Sequence, residues 1–263
     1  PLIQNNVLAV ADAASGKVLH RIKTGIAPFG VVLNENGTVA WVSNWGGPVP
    51  KDGVLTGPLG RNPDADRVQV DARGVANAGN IVRIDLERGV VTHTVAVDAH
   101  PNAIAWDEKR ARLYVASSNR DSVTVIDTGA ARVLRRHPVQ PFQRDVKGIA
   151  PTAAVLHPDG SKLYLACGGI NAVAVMNTAT GAVDGLIPTA WYPNTVALSP
   201  DGKPLAIGAL LGAGSAWRDE PKQRFVHAYR GAVNVVDLPD TAQLASYTTA
   251  AAHNNHMSLG PKA

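Results

Sequence analysis

The sequence predicts an all-β fold made of one repeated four-stranded unit, and three observations carry that prediction. The stretch at residues 101–127, PNAIAWDEKRARLYVASSNRDSVTVID, divides into three short strands at 101–106, 112–116 and 122–127. The third alternates apolar and polar residues as a half-buried strand does. Versions of this stretch recur behind Pro28, Pro101, Pro151 and Pro193, and the spacing falls to about 42 residues between the last two. Gly and Pro are frequent, 25 and 18 in 263 residues, which favours many tight turns over long helices. A four-stranded unit of roughly 40–45 residues is the size of a β-propeller blade.

In chain order, strands at 7–11 and 17–22 flank an Asp-Ala-Ala-Ser-Gly turn and correspond to the third and fourth strands of the unit. The first full copy runs through 28–33, a turn at 34–37, then 40–44, 80–85 and 91–95. The second is the stretch at 101–127, closed by a strand at 131–134. The third comprises 151–156, 163–166, 172–177 and 185–188, and the fourth 193–198, 205–208 and 232–237. Each of these last two turns on Pro-Asp-Gly, at Pro158 and Pro200: Pro presets φ and Gly accepts a positive one. This gives about four and a half blades over residues 1–239. Beyond Pro239 the period changes. Asp240 with Gln243 forms a capping box, and Leu244, Tyr247, Thr248 and Ala251 share one side of a helix of about three turns. From His253 the residues read as a linker, so 240–263 is expected to be a short helix and linker.

The residues Leu113-Tyr-Val-Ala116 with Val123-Thr-Val-Ile-Asp127, and Leu163-Tyr-Leu-Ala166, resemble the YVTN-repeat (YncE-like) propeller family. The run from Gly185 to Pro193, the strand at 232–237 and the segment to Tyr247 are similar to a subgroup of it. In that subgroup the propeller precedes a phosphoesterase domain of the alkaline-phosphatase superfamily. Residues 40–44 and 205–208 lack the family tyrosine, and Asn177 stands where Asp is usual. The resemblance implies about seven blades, a periplasmic or secreted location, and a phosphoesterase domain further along the same polypeptide. A propeller ring closes by building one blade from both chain ends. The orphan half-blade at the start, set against a helix at the end, leads to the expectation of a fragment with an unsatisfied sheet edge.

The formal charge of +4 is too small to argue by itself for nucleic acid or membrane, and no run of 18 apolar residues is present. The single Cys167 excludes an internal disulfide and a cysteine-rich zinc site, and its place in a blade strand reads as a buried, inert thiol. Three long irregular segments, 45–78, 135–149 and 209–231, emerge at one end of the blades, where they read as a recognition face or as variable decoration. Two are basic. Arg135, Arg136, Arg144 and Lys147 belong to one, and Arg218, Lys222, Arg224 and Arg230 to the other. That excess suits a phosphorylated ligand or single-stranded nucleic acid, with Trp45 or Trp217 to stack on, and equally suits a solvated basic face. His100, Asn102, Thr152, Tyr192 and Asn194 open the innermost strands and are expected at the rim of a central channel, contacting a ligand or satisfying local backbone.

Catalytic motifs are scarce. His253 and His256 lack neighbouring carboxylates, and neither Gly-x-Ser-x-Gly nor His-Glu-x-x-His occurs. The glycines of 208–214 are not followed by a helix start that would hold a phosphate. No catalytic residue, metal or cofactor is therefore assigned. The expected function is a non-catalytic binding or scaffolding module. Its alternatives are a lactonase-like enzyme, for which only His100 is well placed, and a nucleic-acid binder with steep salt dependence.

Overall fold

The computed structural model describes residues 1–62, 64–214 and 230–259. These fall into two compact units that divide between Arg136 and His137. In the first unit, β1 (Val7–Ala11) and β2 (Val18–Lys23) pair antiparallel as the expected half-blade. Next come β3 (Ile26–Leu33) and β4 (Val39–Gly47), then the hairpin β5 (Thr56–Pro58) and β6 (Arg67–Gln69), then β7 (Gly79–Asp85) and β8 (Val90–Val97). The first full blade has the order β3-β4-β7-β8, and β5-β6 is a separate two-stranded sheet within the insertion. The second blade is β9 (Pro101–Asp107), β10 (Arg112–Ser117), β11 (Ser122–Asp127) and β12 (Arg132–Pro138), in sequence order.

In the second unit, β13 (Pro151–Leu156), β14 (Lys162–Cys167), β15 (Ala172–Asn177) and β16 (Val183–Pro188) make the third blade. The fourth blade, β17 (Trp191–Leu198), β18 (Pro204–Gly212) and β19 (Ala232–Asp237), has three strands among the described residues. Cys167 is fully buried at the end of β14, as the sequence suggested.

Alternation along the strands explains the packing. Ala40, Val42, Val82 and Ile84 turn one face of the first blade onto Leu8 and Ile22. Trp41 and Ile81 turn the other onto Ile104, Leu113, Val115 and Ile126 of the second. Both faces are buried, so β4 reads as a nearly continuous buried run. Each large side chain so buried contributes about 1.5–3 kcal/mol.

Neighbouring blades are also latched by backbone geometry. Asn6 and Asn171 stand just before β1 and β15 in the left-handed region, with φ of 56° and 52°, a conformation asparagine tolerates well. Their Oδ1 atoms accept from Ala27 N and Tyr192 N, each at 2.8 Å, at the head of the following blade. Their carbonyls accept from Thr24 N and Thr189 N. Ala27, His100, Ala150 and Tyr192, which precede the four opening prolines, all have positive φ as well.

One substitution among the repeats is compensated. In the second blade the Asp98 carboxylate accepts from Ser122 Oγ (2.6 Å) and pairs with Arg136 Nε (3.3 Å), while the Asp98 carbonyl accepts from Ser117 Oγ (3.2 Å). The first blade has Gly25, Asn44 and Asn80 at these positions. Asn44 fills the space the acid vacates: a Cβ on Gly25 would lie 2.8 Å from Asn44 Cγ and 2.6 Å from the Gly47 carbonyl. Among the described residues, neither polar atom of the Asn44 amide, nor Asn80 Oδ1, has a hydrogen-bond partner.

Helix α1 (Thr241–Asn254) begins where the sequence predicted, with the Asp240 side chain accepting from Gln243 N at 2.8 Å. Only half of the capping box forms, because the Gln243 amide donates to the Tyr247 hydroxyl instead (3.1 Å). The helix lies along β16. Gly185 gives it room, since a Cβ there would come within 2.6 Å of Leu244 and Thr248, and Leu186 N donates to Thr248 Oγ1 at 2.9 Å. A sheet edge covered by a helix is protected from pairing with another chain. The helix extends two residues into the expected linker, and the residues behind it are fastened down. Asn255 Nδ2 donates to Ile170 O at 2.9 Å, and Gln143 N donates to Ser258 O at 3.1 Å.

Candidate functional site

In the first unit the long insertion folds back over the head of its own blade. Val68 and Val70 pack on Ile26 and Ala27, with Trp45, Leu59 and Ala76 alongside. Arg67 stiffens the hairpin by donating to the Thr56 hydroxyl and carbonyl, at 2.7 and 2.6 Å. Under this roof Trp45 stacks on His100, with ring centroids 3.9 Å apart and planes 22° from parallel, and Phe29 stacks more loosely at 6.0 Å. Phe29 is the exposed member, at 45%.

A polar chain holds the imidazole. Ser118 Oγ lies 2.9 Å from His100 Nδ1 and donates to Asn102 Oδ1 at 2.8 Å. Ser118 thus bridges the imidazole and the Asn102 amide. Burial lowers the His100 pKa to about 4, against an opposing hydrogen bond with Asn119, so the ring is neutral at pH 7. The arrangement is a rigid wall of two aromatic rings and an imidazole, edged by amides.

The predicted rim residues meet different fates. His100 and Asn102 are brought together through Ser118. In the second unit, the Thr152 hydroxyl lies 3.1 Å from both the Ala166 and Pro193 carbonyls and is engaged with backbone. The Tyr192 ring covers Gly168. Asn194 is exposed beside an open cleft of about 570 Å³ that Gly208, Leu210 and Val233 also line.

Of the basic residues, Arg136 is paired with Asp98, and Lys147 with Asp145 at 2.9 Å. Arg135, Arg144 and Arg230 are exposed. Arg218, Lys222, Arg224 and Trp217 lie outside the described residues. Base stacking on Trp45 meets a face that His100 already covers. Among the described residues, no group of three or more His, Cys, Asp or Glu is placed to hold a metal ion, and no helix is long and apolar enough to cross a membrane.

Phe29 and Ser118 were missed by sequence reasoning. For Phe29 the signal was present: it follows the opening proline as Asn102, Thr152 and Asn194 do in the other copies.

No family model matches the chain. Over 152 residues it is 33% identical to the Seven-bladed beta-propeller protein Rv1057 of Mycobacterium tuberculosis, an alignment that covers 56% of this chain and 36% of that protein. The fold is a β-propeller. Among solved structures, Kuenenia stuttgartiensis Hydrazine Synthase matches with a TM-score of 0.53 and 23% identity, over 80% of this chain and 46% of that one, which is a likeness of fold alone. The propeller chain thus spans about a third of its curated relative and under half of the solved one.

Proposed function

We propose that this propeller is a binding and scaffolding module without catalytic activity of its own. In this reading it is the leading part of an exported polypeptide that carries a phosphoesterase domain, as the subgroup-like segments at 185–193 and 232–247 imply. One observation carries the binding role: the Phe29–Trp45–His100 wall, roofed by an insertion with its own small core and backed by a hydrogen-bond chain that ends on Asn102. Such a wall presents a flat apolar surface beside amide groups, which suits a ring-bearing ligand.

The test uses the purified chain with benzamide as a ring probe and δ-valerolactone and p-nitrophenyl phosphate as reactive probes, each with and without added divalent metal. Benzamide is expected to shift the Trp45 indole resonance, with the response lost in Phe29→Ala. Neither reactive probe should be turned over. Turnover that disappears in His100→Ala would overturn the non-catalytic reading, and an unmoved Trp45 signal would remove the wall as the ligand site.

A further inference from the structure

A second site is built into the other unit, between the face of the third blade and helix α1. A cavity of about 460 Å³ lies there, lined among others by Lys162, Tyr164, Val175, Asp184, Leu244 and Leu259. Its volume falls in the lower half of the range of small-molecule sites, about 300–1,000 Å³. The apolar part of the lining comes from both sides, Val175 from the blade and Leu244 from the helix. Tyr164 is 5% exposed, and burial pushes its pKa up to about 12, so it lines the cavity as a neutral phenol.

The charges around the cavity are already balanced. Lys162 and Asp184 form an ion pair with each other, each side chain about one-third exposed. Asp240 caps the helix, where its charge is answered by the backbone N–H groups of the first turn. Thr248 and Thr249 donate their hydroxyls to the Leu244 and Ala245 carbonyls, at 2.6 and 3.0 Å. An incoming ion of either sign would meet both charges of the pair side by side, one attracting and one repelling it, so its desolvation is only partly answered.

The Lys162–Asp184 pair is nevertheless not saturated by its mutual contact. An ammonium has three donors and a carboxylate about four acceptor positions, and one contact uses one of each. The pair thus sets a strong donor beside a strong acceptor at the edge of a chamber whose walls are part apolar and part polar. Such an edge matches a neutral group that both accepts and donates, as a primary carboxamide does.

We infer that this cavity binds a small uncharged amphipathic molecule, with its apolar body on Val175, Leu244 and Leu259 and its carboxamide-like head on the Lys162–Asp184 pair. None of the residues of the aromatic wall takes part, so the two sites fail or stand separately.

The test is calorimetric titration of the full chain with 3-phenylpropanamide, compared with 3-phenylpropionate and 3-phenylpropylamine, which keep the ring and spacer but carry a charge. The titrations are run in parent and in Phe29→Ala, so that any uptake by the aromatic wall is separated. The amide is expected to bind saturably and equally in both, and each ion at least about tenfold more weakly. Replacing the pair by apolar residues, Lys162→Met with Asp184→Leu, should weaken the amide about 3- to 10-fold while leaving the fold intact. Lys162→Met alone leaves Asp184 without its partner, and should reverse the preference so that the amine outbinds the amide. Ala245→Leu, on the helix wall of the cavity, should abolish binding; should that variant fail to fold, the two pair variants decide. Absence of amide binding, an amide affinity unchanged in the double variant, or an ion that binds the parent as tightly as the amide would each overturn the assignment.

Discussion

His100 is held neutral by burial, and the linkage has a definite sign. With its folded pKa near 4 and its ordinary value at 6.5, the unfolded chain takes up the proton first as the pH falls. The stability that depends on the neutral ring is complete above about pH 6.5 and is lost progressively towards pH 4. Part of the ring is exposed, so solvent damps the effect. Thermal midpoints measured from about pH 7.5 to 4.5 should fall in the parent and fall less in His100→Gln. A second residue prediction concerns the latch. Asn171→Gly keeps the left-handed backbone and loses only the bond to Tyr192, a change of about 0.5–1.5 kcal/mol in denaturant unfolding. Asn171→Ala also forces alanine into that conformation and should cost about 1–2 kcal/mol more. Equal losses would show that the conformation carries no strain. The latches escaped the sequence because they depend on φ and on a partner 21 positions away (Asn6 with Ala27, Asn171 with Tyr192). His100 was legible by its place before an opening proline; its stacking on Trp45 was not, since nothing local brings residue 45 over residue 100.

At the scale of elements, the blade strands were legible as short apolar runs bounded by Gly-, Pro- and Asp-bearing turns and repeated in order. The alternation read at 122–127 pointed to a half-buried strand, but β11 is buried along nearly its whole length because blades pack on both of its faces. The observed strands extend the predicted ones by a few residues, most at the far ends of β4, β12 and β18, where each runs on into a long irregular segment. The hairpin β5-β6 was not legible. Its strands are three residues each, too short to show a period, and they lie among glycines and prolines. Helix α1 was predicted, but its seat was not, because a glycine inside a strand signals close approach without naming what approaches. Gly185→Ala would place a methyl 2.6 Å from Leu244 Cγ and Thr248 Oγ1. It should destabilise the docked helix by about 1–3 kcal/mol. Amide exchange within 241–254 is expected to accelerate in this variant while β9 to β11 stay protected. Uniform acceleration would mean that the helix and the blades unfold as one.

At the scale of the molecule, the repeat period in the sequence determined the architecture, and the match to a seven-bladed relative agrees with it. The outer edge of β19 is unpaired among the described residues, and Val233 and Val235 on one face of it are 72% and 68% exposed. A flat apolar strand edge is prone to pair with other chains. Val235→Lys should therefore shift light-scattering mass at high concentration towards the monomer, without lowering the thermal midpoint by more than about 0.5 kcal/mol equivalent. An unchanged mass distribution would clear this edge of any part in self-association. The facing pair Asn44 and Asn80 has a different kind of consequence. They are direct cross-strand partners, so the whole insertion leaves and re-enters the blade across a single strand spacing. In the second blade the four residues between Ser117 and Ser122 span the same gap. Between Gly47, where β4 ends, and Gly79, where β7 begins, a gene could lengthen or exchange the connection with its two ends held side by side, which makes this position a port for a grafted loop, at the cost of the contacts Val68 and Val70 make with Ile26 and Ala27.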